Sequence, residues 1–229
     1  MAEFDAAAFG ATLGRAFSEN GIGGLLSFDR VKTFTAMTER LLEENEKYNL
    51  TALTDPGKIA LLHYADCALI AKYLKKGASV IDVGCGAGFP TLPLAVLRPD
   101  LRLLSVDATE KKVAYVRETA RLFRLENVTC LTARAEELAG EGAYREVFDC
   151  ATARAVTEMR ALTELLLPFV KIGGEMIAMK GKNAAYEAAG AKRALAILGG
   201  ELVSVDETPL RSGAYGEQSH AVIRVAKRK

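Results

Sequence analysis

Apolar and polar positions follow a helical period in the first third of the chain and a different rhythm after it. From Phe28 onward the apolar residues Val31, Phe34, Met37, Leu41 and Leu42 recur every three or four positions among charges. That spacing predicts an amphipathic helix, with Ser27 or Asp29 as its cap. Asp55-Pro56-Gly57 reads as a turn, and Ile59–Leu74 as a second, more apolar helix closed by Lys75-Lys76-Gly77. From Ala78 short β-rich runs alternate with helical stretches. The strand-like runs are Ser79–Val83, Leu101–Val106, Val128–Thr132, Phe148–Ala153 and Glu175–Lys180. The helical ones lie near Leu92–Leu97, Lys111–Phe123, Met159–Phe169 and Ala184–Leu198. Alternation at this length predicts an α/β fold, a mostly parallel sheet with helices on both faces. Two more strand-like runs, Leu202–Glu207 and Ala221–Ala226, are separated only by the polar loop 211–216. They predict an antiparallel edge that completes a seven-stranded sheet. The organisation expected is an N-terminal helical extension, 1–75, packed on a core domain, 76–229, as a single structural unit.

Composition narrows the function classes without choosing among them. The 229 residues are half hydrophobic, and 30 Lys and Arg against 29 Asp and Glu leave a net charge of +1. So small a charge gives no general pull toward nucleic acid or an anionic membrane, and any such partner needs a local patch. Cys67, Cys85, Cys130 and Cys150 are scattered without CxxC spacing and read as reduced core thiols, not a metal site. The N-terminal MAEFDAAAFG carries acids and no basic segment ahead of an apolar run, unlike a secretory signal. No apolar stretch approaches the ~18 residues of a membrane span. The expectation is a soluble, cytoplasmic protein, and nothing demands more than a monomer.

The sharpest local chemistry is Val80-Ile81-Asp82-Val83-Gly84-Cys85-Gly86-Ala87-Gly88-Phe89-Pro90, an apolar strand entering a Gly-x-Gly-x-Gly loop ahead of a helix. Glycines let a backbone turn sharply and approach a ligand closely. A dinucleotide fingerprint would be Gly-x-Gly-x-x-Gly, and Phe89 stands where its third glycine belongs. A P-loop would need Gly-Lys-Ser/Thr, which is absent. Asp82 ahead of the loop suits a ligand bearing an ammonium group better than one bearing a pyrophosphate. Asp107, about twenty residues beyond the loop at the end of the next strand, suits both hydroxyls of an adenosine ribose. The spacing and the two acids together point to S-adenosyl-L-methionine, with Gly84, Gly86 and Gly88 forming the loop. The antiparallel ending agrees, since it is typical of Rossmann-like class I methyltransferases and unusual in dinucleotide dehydrogenases. Ala135 and Glu136, after the third strand, are candidates to contact adenine, although an acid-enriched helix start explains Glu136 equally well.

On the substrate side, the fourth strand ends in Asp149-Cys150-Ala151-Thr152-Ala153-Arg154-Ala155. It has neither the Asp/Asn-Pro-Pro-Tyr of amine methylation nor a nucleophilic cysteine beyond the strand end. Arg154 emerges at the cleft instead. An acceptor such as guanine N7 suits this, because its lone pair needs no base and alignment supplies most of the catalysis. Arg154 is then barred from the usual bidentate O6/N7 pair, which would occupy that lone pair. O6 alone, a phosphate or the methionine carboxylate remain open to it. Arg117, Arg121 and Arg124 recur on one predicted helix face, Lys180 and Lys182 flank Gly181, and the tail ends Lys227-Arg228-Lys229. The stripe is either a solvated face or a set of phosphate contacts to a structured RNA. His63 and Asp66 are too few for a metal site and read as a polar brace between the N-terminal region and the cleft.

With these residues assembled, the chain resembles the bacterial small-subunit ribosomal RNA guanine-N7 methyltransferases, the glucose-inhibited division protein B family. The resemblance runs from about Glu44 to Lys180. It rests on Tyr48-Asn49-Leu50-Thr51 with Asp55-Pro56, on His63-x-x-Asp66, on Asp82 to Pro90 with Pro93-Leu94, and on Leu104-Ser105-Val106-Asp107 with Lys111-Lys112. Arg134-Ala135-Glu136-Glu137, Ala153-Arg154-Ala155 and Lys180-Gly181 complete it. It implies methylation of one guanine N7 in 16S rRNA, free or in a 30S particle. It also implies that Gly84, Phe89, Ala135, Glu136 and Arg154 line the cofactor site. The chain departs from the family pattern at Cys67, at Thr91-Leu92 and at Ser219 before His220, and the last departure leaves no C-terminal arginine role to carry over. A small-molecule methyltransferase and a cofactor-sensing binding module are the competing readings.

Overall fold

The computed structural model describes residues 4–229; Met1 to Glu3, the start of the segment read for a leader, lie outside them. Seven strands form one sheet: β1 (Ser79–Val83), β2 (Arg102–Asp107), β3 (Val128–Thr132), β4 (Phe148–Arg154), β5 (Val170–Lys180), β6 (Gly200–Asp206) and β7 (Ala221–Lys227). Their order is β3-β2-β1-β4-β5-β7-β6. The pairs from β3 through β5 are parallel, and β7 runs antiparallel between β5 and β6. The chain builds outward from β1 to β3 and then crosses back to β4. The order therefore reverses between β1 and β4, where open α/β sheets bind ligands.

The strands are apolar on both faces because both faces are covered. Val80, Ile177, Met179 and Val222 join one core cluster, and Ile81, Val83, Met176, Ala178 and Ile223 join the other. The first cluster takes in the N-terminal helices α1 (Ala6–Glu19) and α2 (Phe28–Tyr48) together with α5 (Thr91–Leu97) and residues of α6 (Glu110–Leu122). The second is closed by α7 (Ala135–Leu138), α8 (Met159–Leu166), α9 (Ala184–Gly190) and α10 (Lys192–Ile197). One apolar cluster thus runs from Phe9 to Val222, with no seam between the N-terminal helices and the sheet.

Local chemistry explains where the elements start and stop. Ser27 caps α2, accepting from the Arg30 amide at 3.3 Å, so Asp29 falls inside the first turn. Asn49 ends that helix in the left-handed region, at φ +51°. The helix expected over 59–74 is not uniform. It comprises α3 (Pro56–Ile59), one π turn at Ala60–Ala65, α4 (Asp66–Ala68) and a 3₁₀ stretch at Leu69–Tyr73. The expected helix over 184–198 is broken between α9 and α10, with Ala191 closing one and opening the other. β5 begins at Val170, earlier than hydropathy indicates, because its first residues include the exposed Ile172 and Gly173 at φ +82° and so do not read as a buried strand. Among the described residues no helix is long and apolar enough to cross a membrane.

Candidate active site

The glycine loop is pinned to the sheet by main-chain bonds. The Gly84 and Cys85 amides both donate to Val106 O, at 2.8 and 3.0 Å, and the Gly88 amide donates to Cys85 O at 2.8 Å. Gly84, Gly86 and Gly88 all have positive φ, at +74°, +55° and +87°, a region costly for residues with a Cβ. Their spatial roles differ. A Cβ on Gly88 would strike Leu92 at 2.5 Å, whereas one on Gly86 would meet nothing within 4 Å. Gly88 serves helix packing and Gly86 faces open space.

The two acids are used differently. Asp107 lies at the tip of β2, its Oδ2 accepting from the Gly86 amide at 3.1 Å and its Oδ1 from the Thr109 amide at 2.9 Å. Each oxygen keeps a lone pair toward the cleft. Asp82 points beneath the loop. Its Oδ2 accepts from the Thr91 hydroxyl at 2.5 Å and the Thr91 amide at 3.3 Å. Its Oδ1 is buried with no protein partner among the described residues, as is Oγ1 of its cross-strand neighbour Thr152. Burial pushes the Asp82 carboxyl up to about 6, against the opposing pull of the Thr91 bonds.

A cleft of about 430 Å³ opens at the carboxyl ends of β1 to β4. Gly84, Gly86, Asp107, Ala135, Glu136 and Arg154 all line it. The sequence reading missed Lys112, Arg134 and Val156 on the same wall. Lys112 and Arg134 stood within the matched motifs, and Val156 carried no signal. Asp82, Gly88 and Phe89 do not line it; they support the loop from behind. The Cys150 thiol is buried within the sheet, which pushes it up, away from thiolate character.

Arg154, the last residue of β4, reaches back to the N-terminal region. Its guanidinium donates to Leu62 O at 2.7 Å, lies 3.0 Å from His63 Nδ1 and pairs with Asp66 Oδ2 at 3.4 Å. It also sits 5.4 Å from the centre of the Phe89 ring, on which His63 stacks at 4.2 Å. Arginine can only donate, so His63 Nδ1 is the accepting nitrogen. The proton then sits on Nε2, donated to the Thr51 hydroxyl at 3.2 Å. Burial, reinforced by the Arg154 charge, lowers the His63 imidazole to about 3, consistent with this neutral tautomer. Asp66 Oδ1 takes one further partner, His220 Nδ1, at 2.5 Å. His63 and Asp66 thus act as a brace, and among the described residues no cluster of three or more His, Cys, Asp or Glu is placed to hold a metal.

The basic residues do not gather into one face. Arg121 makes two hydrogen bonds to Glu118, at 2.7 and 3.0 Å, and Arg117 reaches Glu110 at 3.5 Å. Arg124 lies beyond the end of α6 at φ +54° and leaves the stripe, because the helix closes at Leu122. Lys180, expected as an RNA contact, is instead engaged within the protein. Its side chain is only 8% exposed and bridges Glu187 at 2.6 Å and the Thr157 carbonyl. Lys182 is exposed on the following turn. In the tail, Lys227 is a buried strand residue that donates to Leu198 O at 3.0 Å, and Arg228 pairs with Glu201 at 2.6 Å.

The family model described as GidB, rRNA small subunit methyltransferase G, matches residues 30–212. A protein of Leuconostoc citreum (strain KM20) named ribosomal RNA small subunit methyltransferase G is 41% identical over 198 residues, covering 85% of this chain and 83% of its own. Its namesake in Clostridium perfringens (strain SM101 / Type A) is 39% identical over 193 residues, covering 83% and 81%. Among solved structures, M. jannaschii TYW2 in complex with AdoMet superposes with a TM-score of 0.56 at 18% identity, covering 70% of this chain and 74% of that one. That likeness is one of fold.

Proposed function

The chain belongs to the rRNA small subunit methyltransferase G family, and from that premise we propose that it transfers the methyl group of S-adenosylmethionine to N7 of one guanine in 16S rRNA. The observation that carries the reading is the cleft itself. It joins a glycine cradle and a carboxylate suited to ribose hydroxyls to a fixed arginine, and its two acids, Asp107 and Glu136, are assigned to the cofactor.

The residues present fit the cofactor. Gly86 leaves open space where a Cβ would stand, which admits a ligand against the backbone. Asp107 accepts the ribose hydroxyls with the lone pairs that the Gly86 and Thr109 amides leave over. Ala135 and Glu136, at the start of α7, border the adenine. Bound there, S-adenosylmethionine supplies an electrophilic methyl group on a positively charged sulfur. Arg154, steadied by the Phe89 ring behind it, orients the acceptor base, with the guanidinium reaching O6 and leaving the N7 lone pair free. His63 is not a base here, because its Nδ1 lone pair is taken by Arg154 and its other nitrogen faces Thr51. An N7 acceptor requires none, so catalysis reduces to alignment. Lys112 and Arg134 on the cleft wall and Lys182 beyond it are the cations we assign to RNA phosphates.

The test is methyl transfer from labelled S-adenosylmethionine to free 16S rRNA and to 30S particles lacking the modification, with the product nucleotide identified by mass spectrometry. We expect 7-methylguanosine at a single site, and a loss of at least ~100-fold in Arg154→Ala, the scale of a misplaced reactant. A different methylated position would overturn the N7 assignment. Label appearing only in small molecules would favour a metabolite methyltransferase.

A further inference from the structure

We propose that His220 is a positioning residue for methyl transfer, setting the Arg154 guanidinium at the cleft through Asp66. The proposal rests on the reading above for what Arg154 does, but not for how Arg154 is held.

An arginine at a cleft mouth is a long, flexible group, and ordering it costs up to ~2 kcal/mol of rotamer entropy. Here it is held by Leu62 O, His63, Asp66 and the Phe89 ring. Asp66 is the only anion among these partners. A carboxylate turns easily about its last torsion, which is broad and nearly two-fold. Asp66 presents Oδ2 to Arg154 because Oδ1 is tied to His220 Nδ1 at 2.5 Å. Since a carboxylate only accepts, Nδ1 of His220 carries the proton. The side chains become more enclosed along this line, from Arg154 at 19% exposed to Asp66 at 14% and His220 at 4%.

The placement of His220 is itself rigid. It directly precedes β7, whose first residue Ala221 pairs with Lys180 at the end of β5, so sheet register sets the imidazole. The strap before it is fastened to the N-terminal helices. Asn20 exchanges two hydrogen bonds with the Arg211 backbone, at 2.9 and 2.8 Å, and Tyr215 donates to Asp55 at 2.6 Å. The loop that leads into β7 thus positions a carboxylate 154 places earlier in the chain.

RNA affinity is spread over many phosphate contacts, so loosening one positioning residue falls on the rate more than on binding. We expect His220→Leu to lower kcat by ~10–100-fold, the scale of a slight misplacement, with KM for RNA and Kd for the cofactor within ~3-fold. His220→Asn, whose amide N–H stands close to Nδ1–H, should restore most of kcat. Asp66→Asn should match His220→Leu, and the double variant should be no worse than Asp66→Asn alone, as expected for residues in one network. A wild-type kcat in His220→Leu, an Asn variant as impaired as the Leu variant, or additive losses would overturn the proposal. Nitrogen-15 NMR of the arginine side chains supplies a readout that needs no RNA. The Arg154 Nε–H signal should broaden or shift in His220→Leu and recover in His220→Asn, and an unmoved signal in the Leu variant would also overturn it. Absence of methyl transfer by the unaltered protein would count against the functional reading alone.

Discussion

At the scale of single residues, two buried titrating groups behind the cleft are set against each other. Asp82 has its carboxyl raised by burial from 3.8 to about 6. The folded protein therefore holds a proton through that window which the unfolded chain has released, and stability falls as pH rises through it. At about 1.4 kcal/mol per pH unit, the displacement corresponds to roughly 3 kcal/mol. His63 is displaced the other way, from 6.5 to about 3. Its neutral form is the folded one, so stability is present above pH 6.5 and lost as pH falls toward 3. Between pH 4 and 6 the two slopes oppose each other and the native protein changes little. Asp82→Asn removes one of them. Denaturant unfolding from pH 4 to 7 should show Asp82→Asn losing stability on acidification more steeply than the unaltered protein; parallel curves would mean that Asp82 ionises normally.

At the scale of elements, hydrophobic period placed the strands and helices but not their interruptions. The change of rhythm at Ala78 was legible because a sheet buried on both faces writes itself as short apolar runs. The π turn at Ala60–Ala65 was not, since its residues are as apolar as any helix interior and what singles it out is a tertiary contact from Leu62 O to Arg154. The single arginine stripe expected on α6 is broken for a related reason. Spacing put Arg117, Arg121 and Arg124 on one face, but Glu118 and Glu110 take two of them and the left-handed Arg124 leaves the helix. Exposed pairs of this kind contribute ~0–1 kcal/mol. The Arg117→Ala/Arg121→Ala variant should melt within a few degrees of the unaltered protein and methylate rRNA within ~3-fold of it. A larger loss of transfer with an unchanged salt-free melt would return α6 to the RNA interface.

At the scale of the whole molecule, what remained hidden in the sequence is what joins distant segments. The glycine loop and Asp107 were legible because their chemistry is local. The His220–Asp66 contact spans 154 positions, and no spacing rule reaches that far. The same long reach governs how the molecule unfolds. A line of aromatic rings runs from the N-terminal helices into the cofactor loop, with Phe17 to Phe34 at 6.4 Å, Phe34 to Tyr64 at 4.6 Å and Tyr64 to Phe89 at 5.6 Å. Phe34 is fully buried within it. Because the N-terminal helices share one core with the sheet, a cavity at Phe34 destabilises both. Phe34→Ala should cost ~3–5 kcal/mol, lowering the melting temperature by roughly 6–20 °C at ~2–4 °C per kcal/mol for a chain of this size. Native-state hydrogen exchange separates the alternatives. Amides of α2 and of β4 should lose protection together in the variant, as one cooperative unit. Were α1 and α2 to exchange while β4 and β5 kept their protection, the N-terminal helices would be an independent layer, and the brace from His63 and Asp66 to Arg154 would open before the sheet does.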